Sequence, residues 1–206
     1  MPKRSAALKP RKKPAQSRSA ETVAVILEAA ARILETKGFA GYTTNAVAER
    51  AGVSIGSLYQ YFPGKDALTA ALIERETAVL CEEVIATEHI RDGTEALLRL
   101  IGATVKHQMH RPALARLLDF EEQRLPLNQQ IRGVSSVVSS AIANAIRHLP
   151  DDLVVGNVEE AAADVLAMVK GMIDSAGERG ELSSDHLERR VRRAVFGYLG
   201  VSYVQN

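Results

Sequence analysis

One cysteine (Cys81), no tryptophan and seven prolines occur in the 206 residues, and aromatic side chains make up only 4%. A lone cysteine forms no intramolecular disulfide, so nothing argues for an oxidising compartment. Few aromatics and few prolines sit poorly with an all-β architecture. No uninterrupted apolar run approaches the roughly 18 residues of a membrane span. The basic N-terminus reads KPRKKP over residues 9–14, where an export signal would need an apolar stretch. Also missing are a phosphate-cradling glycine loop and a serine or cysteine nucleophile in a recognisable elbow. These absences exclude export and membrane insertion, lend nothing to an enzyme or to a cofactor, and leave a cytoplasmic helical protein as the expectation.

Hydrophobic residues at 46% beside 25% charged ones support a packed soluble core. The net charge of +1 hides a division. Of 26 Lys and Arg and 25 Asp and Glu, residues 1–65 hold 11 and 4, a balance of +7; the remainder holds 15 and 21, a balance of −6. A basic N-terminal third on an acidic body is the sequence-level footprint of a polyanion-binding protein. Residues 1–18 are the extreme case, with Arg11, Lys12, Lys13 and Arg18 among seven cations and no anion. Such a segment cannot bury enough surface to order itself, and it reads as an arm reaching a minor groove or a DNA backbone.

Helical periodicity begins at Ser19, with Val23, Ile26, Leu27, Ala30, Ile33 and Leu34 on one side and Gly38 as the stop. A second helix follows Thr44 as N-cap and ends at Gly52, and a third follows Ser54 and runs through Leu58 to Phe62. Pro63 and Gly64 break the chain before a fourth helix, from about Lys65 to Ala86. Turn-rich punctuation then delimits helices at roughly 94–110, 112–122, 126–148, 158–177 and 184–202. Asn157, with Glu160 three residues on, has the spacing of a capping box.

Residues 43–62, TTNAVAERAGVSIGSLYQYF, hold helix, turn and helix in the length of a helix-turn-helix. Gly52 permits the sharp turn, and Val47, Val53 and Leu58 can form a small shared core. At about 100° per residue, Leu58 and Phe62 share the docking face, Gly56, Ser57 and Gln60 point away, and Tyr59 and Tyr61 fall on the flanks. Small and amide-bearing side chains toward base edges, with phenols toward the phosphate strands, are the layout of a recognition helix. Gln60 is the leading base reader. Thr43, Thr44 and Lys65 lie at helix starts where a phosphate is favoured, and Asn45, Ser54 and Ile55 complete the expected DNA-binding set.

The segment ILEAAARILETKGFAGYTTNAVAERAGVSIGSLYQYFPGKDAL, residues 26–68, closely resembles the N-terminal pattern of the TetR family of transcriptional regulators. The order Ala-Gly-Val-Ser, Gly-Ser-Leu-Tyr and Tyr-Phe before a lysine carries the likeness, which spans about a fifth of the chain; Asn45 and Val47 depart from it. The resemblance implies an all-α homodimer: three helices of a DNA-binding domain, here 19–65, and a C-terminal helical domain, 66–206, that binds a ligand and dimerises. Its expected partners are double-stranded DNA and a small-molecule effector.

The same resemblance places a four-helix interface on the last two helices. Ala163, Ala167 and Gly171 make a ridge of small residues suited to it. In the final helix, Leu187, Val191, Ala194, Val195 and Tyr198 form one apolar sector for the subunit's own core, while Phe196 and Leu199 point elsewhere, toward a second subunit. For an effector, the candidates are Val84, Ile101, Val105, Met109, Phe120, Val138, Met168 and Met172. They form a mainly apolar set in which each member serves equally as ordinary core. His107 and His110 have metal-ligand spacing, but no carboxylate pair or second cysteine completes a site, so no metal is expected. The reading is a repressor released from a pseudo-palindromic operator by its effector. A ligand-independent DNA-binding dimer and an enzyme with a helical binding domain are the alternatives.

Overall fold

The computed structural model describes residues 17–125, 133–150, 156–181 and 183–201. Among these every regular element is helical: α1 Ser17–Gly41, α2 Thr44–Ala51, α3 Ile55–Tyr61, α4 Lys65–Ala86, α5 Gly93–His110, α6 Pro112–Arg124, α7 Gly133–Arg147, α8 Val158–Glu178 and α9 Ser184–Leu199. A 3-10 turn, Thr87–His89, follows α4. Arg11, Lys12 and Lys13 lie outside the described residues; α1 starts at Ser17, two residues before its expected start, so Arg18 falls in its first turn.

The chain forms two compact units. The first holds the described residues up to Glu76 and those from Ala113; the second holds Thr77–Pro112 and the described residues after 132. The expected division after Lys65 therefore falls too early. The first half of α4 supplies Leu68, Leu72 and Ile73 to the N-terminal core, and α6 adds Leu114 and Leu118 to it. A periodic pattern locates a helix, but it does not say which core that helix completes.

In the N-terminal unit α2 packs on α1 and α3 on α2. The core gathers Ile26, Ala30 and Leu34 from α1, Val47 and Ala48 from α2, and Leu58 with Phe62 at the end of α3. Gly38 interrupts α1 at φ 59°, ψ −162°, so the expected stop is a kink followed by one further turn. In the C-terminal unit, α7 packs against α5 and α8, and α9 against α5 and α8. Val84, Leu97, Ile101, Val105, Val138, Ile142, Val165, Val191 and Val195 share one core there. Asn157 caps α8 as expected, accepting from the backbone N–H of Glu159 and Glu160.

Candidate nucleic-acid interface

Local hydrogen bonding explains why the α2–α3 turn is sharp. Thr43 caps α2, its side chain accepting from Ala46 N at 3.1 Å, which moves the expected cap from Thr44 back by one residue. Thr44 is the first helical residue. Gly52 ends the helix in the left-handed region at φ 66°, where a side chain would be strained, and its N–H and that of Val53 close on α2 carbonyls. Ser54 then caps α3, accepting from Ser57 N at 3.0 Å and meeting Ser57 Oγ at 2.8 Å.

That start fixes the rotation of the seven-residue helix. Leu58 and Phe62 are fully buried, and on the opposite side Gly56 and Gln60 are exposed, with Ser57 half-buried. The flanking tyrosines are both held by hydroxyls. Tyr59 stays 42% exposed with its hydroxyl 3.2 Å from Thr44 Oγ1, and Tyr61 accepts from Ser19 Oγ at 3.2 Å. Their rings are therefore aimed in the free protein, before any DNA arrives. Thr43, Asn45, Ser54 and Ile55 are exposed around this face.

Lys65, at the first position of α4, is half-buried, its ammonium 4.9 Å from the centre of the Tyr42 ring and 6.0 Å from that of Phe39. Cation–π contact fixes the amine without consuming its charge. Beneath it, Tyr42 is 1% exposed and its hydroxyl lies 3.1 Å from Thr69 Oγ1, which also donates to Lys65 O. Burial pushes the Tyr42 phenol well above its ordinary range; the Thr69 hydrogen bond opposes it in part, and the negative charges of Glu121 and Asp66 each add a smaller rise. Glu121 is itself buried, held by Arg124, which also donates to Asp66 at 2.8 Å.

No part in this interface is expected from the sequence for Tyr42, for Ser19 beyond starting a helix, or for the Glu121–Arg124–Asp66 group. Tyr42 and Thr69 are 27 positions apart and Ser19 and Tyr61 42 apart, beyond any local periodicity. The only signal in the sequence is the tyrosine itself, two residues before the expected helix cap.

Other expected site residues scatter. Phe120 belongs to the N-terminal unit, 61% exposed, its ring 6.0 Å from that of Phe39, so it lines no apolar interior. Val84, Ile101, Val105 and Val138 are buried in the C-terminal core, with Met109 half-buried at its edge. Met168 and Met172 lie with Ala167, Gly171, Ser175, Arg179 and Arg190 on an open groove of about 400 Å³. The two methionines thus share a surface with the small-residue ridge, of which Ala163, Ala167 and Gly171 are exposed. Phe196 and Leu199 are corrected outright: at 1% and 6% exposure they belong to the subunit's own core and leave nothing for a partner to touch. Tyr198, assigned to that core, is instead 47% exposed and donates to Asp164 Oδ2 at 2.6 Å. Helices α5 and α8 clasp α9 from two sides, so the buried arc is centred on Val195 and Tyr198 falls at its edge.

Among the described residues, no cluster of three or more His, Cys, Asp or Glu could hold a metal ion, and no helix is long and apolar enough to cross a membrane. Two family models match this architecture: bacterial regulatory proteins of the tetR family over residues 26–72, and the tetracyclin repressor-like C-terminal domain over residues 94–199. The chain belongs to the TetR family. An uncharacterized HTH-type transcriptional regulator of Mycobacterium tuberculosis is 32% identical over 165 residues, 77% of this chain and 80% of that protein. Among solved structures, the fatty acid degradation regulator FadR from Bacillus halodurans aligns with a TM-score of 0.71 at 17% identity, covering 93% of this chain and 99% of its own. The SmeT–triclosan complex aligns at 0.65 and 19% identity, covering 86% and 90%. As a TetR-family chain, the protein is a DNA-binding transcriptional regulator, and the α2–α3 pair is its helix-turn-helix.

Proposed function

We propose that this regulator is a repressor: a homodimer that holds a pseudo-palindromic operator through two copies of α3 and leaves it when a small, mainly apolar effector binds the C-terminal unit. The observation that carries the reading is the outward face of α3. Gly56 lets bare backbone approach the base edges, Gln60 can pair with adenine through its amide, and Tyr59, Tyr61, Thr43 and Thr44 supply hydroxyls beside them that can bond to phosphates. Lys65 adds a charge already oriented by Tyr42.

The ridge on α8 supports a second copy as its partner. Gly171 in α8 and Gly197 in α9 are interior helix positions, where glycine costs roughly 1 kcal/mol against alanine. A Cβ at either would meet nothing within 4 Å in its own subunit. Close approach of helices from another subunit gives these glycines a reason that their own subunit does not. Ala163, Ala167 and Gly171, with the groove beside them, are the surface proposed for it.

Effector chemistry follows from the C-terminal core. Its buried hydroxyls, Thr87 and Thr104, already donate to carbonyls of their own turns, Val84 O and Leu100 O. A ligand entering among Val84, Ile101, Val105 and Val138 meets aliphatic groups and few free polar ones. A protein of the same fold solved with triclosan is in keeping with this. Release requires the effector to prefer the conformation that does not bind DNA.

The test is selection of bound fragments from the source genome, then release by a panel of apolar metabolites. A recurrent palindromic duplex, freed by at least one panel member, is expected. Loss of the palindrome overturns the repressor reading, and a palindrome that no member releases favours the ligand-independent dimer.

A further inference from the structure

We propose that Ile55 is a specificity-determining residue of this interface, and that its side chain meets the 5-methyl group of a thymine in the major groove. The inference rests on the DNA-binding reading above and adds to it which chemical group one side chain reads.

Three residues before Leu58, Ile55 lies about 60° from it around the helix, on the same side as the buried line of Leu58 and Phe62. By helix angle alone, without the DNA-binding role expected of it, an isoleucine there would be buried. It is 38% exposed, while Leu58 and Phe62 are at 0%. The reason is local. Ser54, bonded to Ser57 N at 3.0 Å, fixes the first turn, and half-buried Val53 precedes it in the chain, leaving Ile55 to project at the leading end of α3. One exposed isoleucine is unremarkable on a protein surface; its position is what makes this one informative. Among the exposed side chains of α3 it alone is aliphatic, it adjoins the bare backbone of Gly56, and Tyr59 stands one turn further along the same flank. Branching at Cβ holds it to few rotamers, so the methyl groups are presented rather than swept.

An aliphatic group neither donates nor accepts, so a phosphate or a base edge offers it nothing. The thymine methyl is the one apolar group that the four bases display in the major groove, and residues at the start of a recognition helix are those that reach base edges.

Replacing thymine by uracil removes that methyl and leaves every hydrogen-bonding group in place. In anisotropy titrations of the full chain on its selected operator, each thymine is exchanged in turn for uracil. The wild type is expected to lose affinity about fourfold per half-site at one symmetric position, the value of one buried methyl group. Ile55→Ala should bind the unmodified operator weaker by a similar factor, cease to distinguish thymine from uracil there, and respond as wild type at every other thymine. Ile55→Val, which keeps the Cβ branch, should give intermediate discrimination and covers the case in which the alanine variant melts early. Equal uracil sensitivity in wild type and both variants, or none in the wild type, overturns the assignment while operator binding stands. Failure of the wild type to prefer any duplex overturns the DNA-binding reading itself, and this inference with it.

Discussion

Helix α3 buries a line, and helix α9 buries an arc. In the N-terminal unit, Leu58 of α3 and Phe62, the C-cap one turn further on, are fully buried, and the side of the helix opposite them faces outward. In the C-terminal unit, α9 buries Leu187, Val191, Val195, Phe196 and Leu199, positions that span about half of its circumference. The cause is the number of neighbours, since α5 and α8 both pack on α9. A helix docked along one line keeps a free face for a ligand as large as a duplex. A helix clasped from two sides has given its large apolar groups to its own subunit, and an additional partner must use what remains: small residues, and polar ones such as Tyr198 and Asp164.

The largest effect should come from breaking the line in α3. Phe62→Ala removes a fully buried ring, and losses of this kind run to about 3–5 kcal/mol. Urea unfolding followed by circular dichroism should show that loss, with operator binding abolished because α3 no longer docks. Two residues away, Gln60→Ala should unfold within about 0.5 kcal/mol of wild type, yet lower specific operator affinity by about 1–3 kcal/mol. If the two variants lose stability alike, Gln60 does not lie on a free face and the contrast between the helices is void.

How far each region could be read from sequence follows from the same contrast. The buried and exposed sides of α3, the Ser54 cap and the Gly52 turn were legible, because each is set by residues within one or two turns. The fate of Phe196, Leu199 and Tyr198 was not, because a helix wheel shows two apolar sectors without showing that helices of the same subunit, α5 and α8, cover both. Nor was the membership of α6 and the first half of α4 in the N-terminal core, which rests on contacts such as Arg124 to Asp66, 58 positions apart. The hydroxyls that aim Tyr59 and Tyr61 divide the same way. Thr44 is 15 residues from Tyr59 and inside the motif, whereas Ser19 is 42 from Tyr61 and outside it.

The N-terminal unit should be the one that weakens at alkaline pH. Burial and nearby carboxylates hold the Tyr42 phenol protonated in the folded state, above the value of about 10 that it has when unfolded. A folded-state value raised in this way gives stability that is complete below pH 10 and declines as pH climbs beyond it, since only the unfolded chain then gains by losing the proton. Tyr42→Phe should cost about 1 kcal/mol at neutral pH through the lost Thr69 contact, and should unfold with a shallower decline above pH 10. Parallel curves for the two proteins would place the alkaline weakness elsewhere.

The C-terminal unit should show its own sensitivity at the opposite end of the scale, and more weakly. Glu181 accepts from His186 Nδ1 at 2.9 Å and from Arg190 at 2.6 Å, with Arg179 at 3.6 Å. The His186 hydrogen bond holds its carboxyl below the ordinary glutamate range; burial opposes it, and the Arg190, His186 and Arg179 charges each add a smaller lowering. A depressed folded value gives stability that is present above the unfolded value near 4.3 and is lost as pH falls through the folded one. Glu181→Gln should therefore flatten the acid limb of the unfolding curve below about pH 4 and leave its alkaline limb unchanged. The change should be smaller than that of Tyr42→Phe, because His186 is exposed and Arg179 largely so, and water screens both partners. An alkaline shift in the glutamine variant would mean that the two units do not respond to pH separately, and that the charge groups of one are felt in the core of the other.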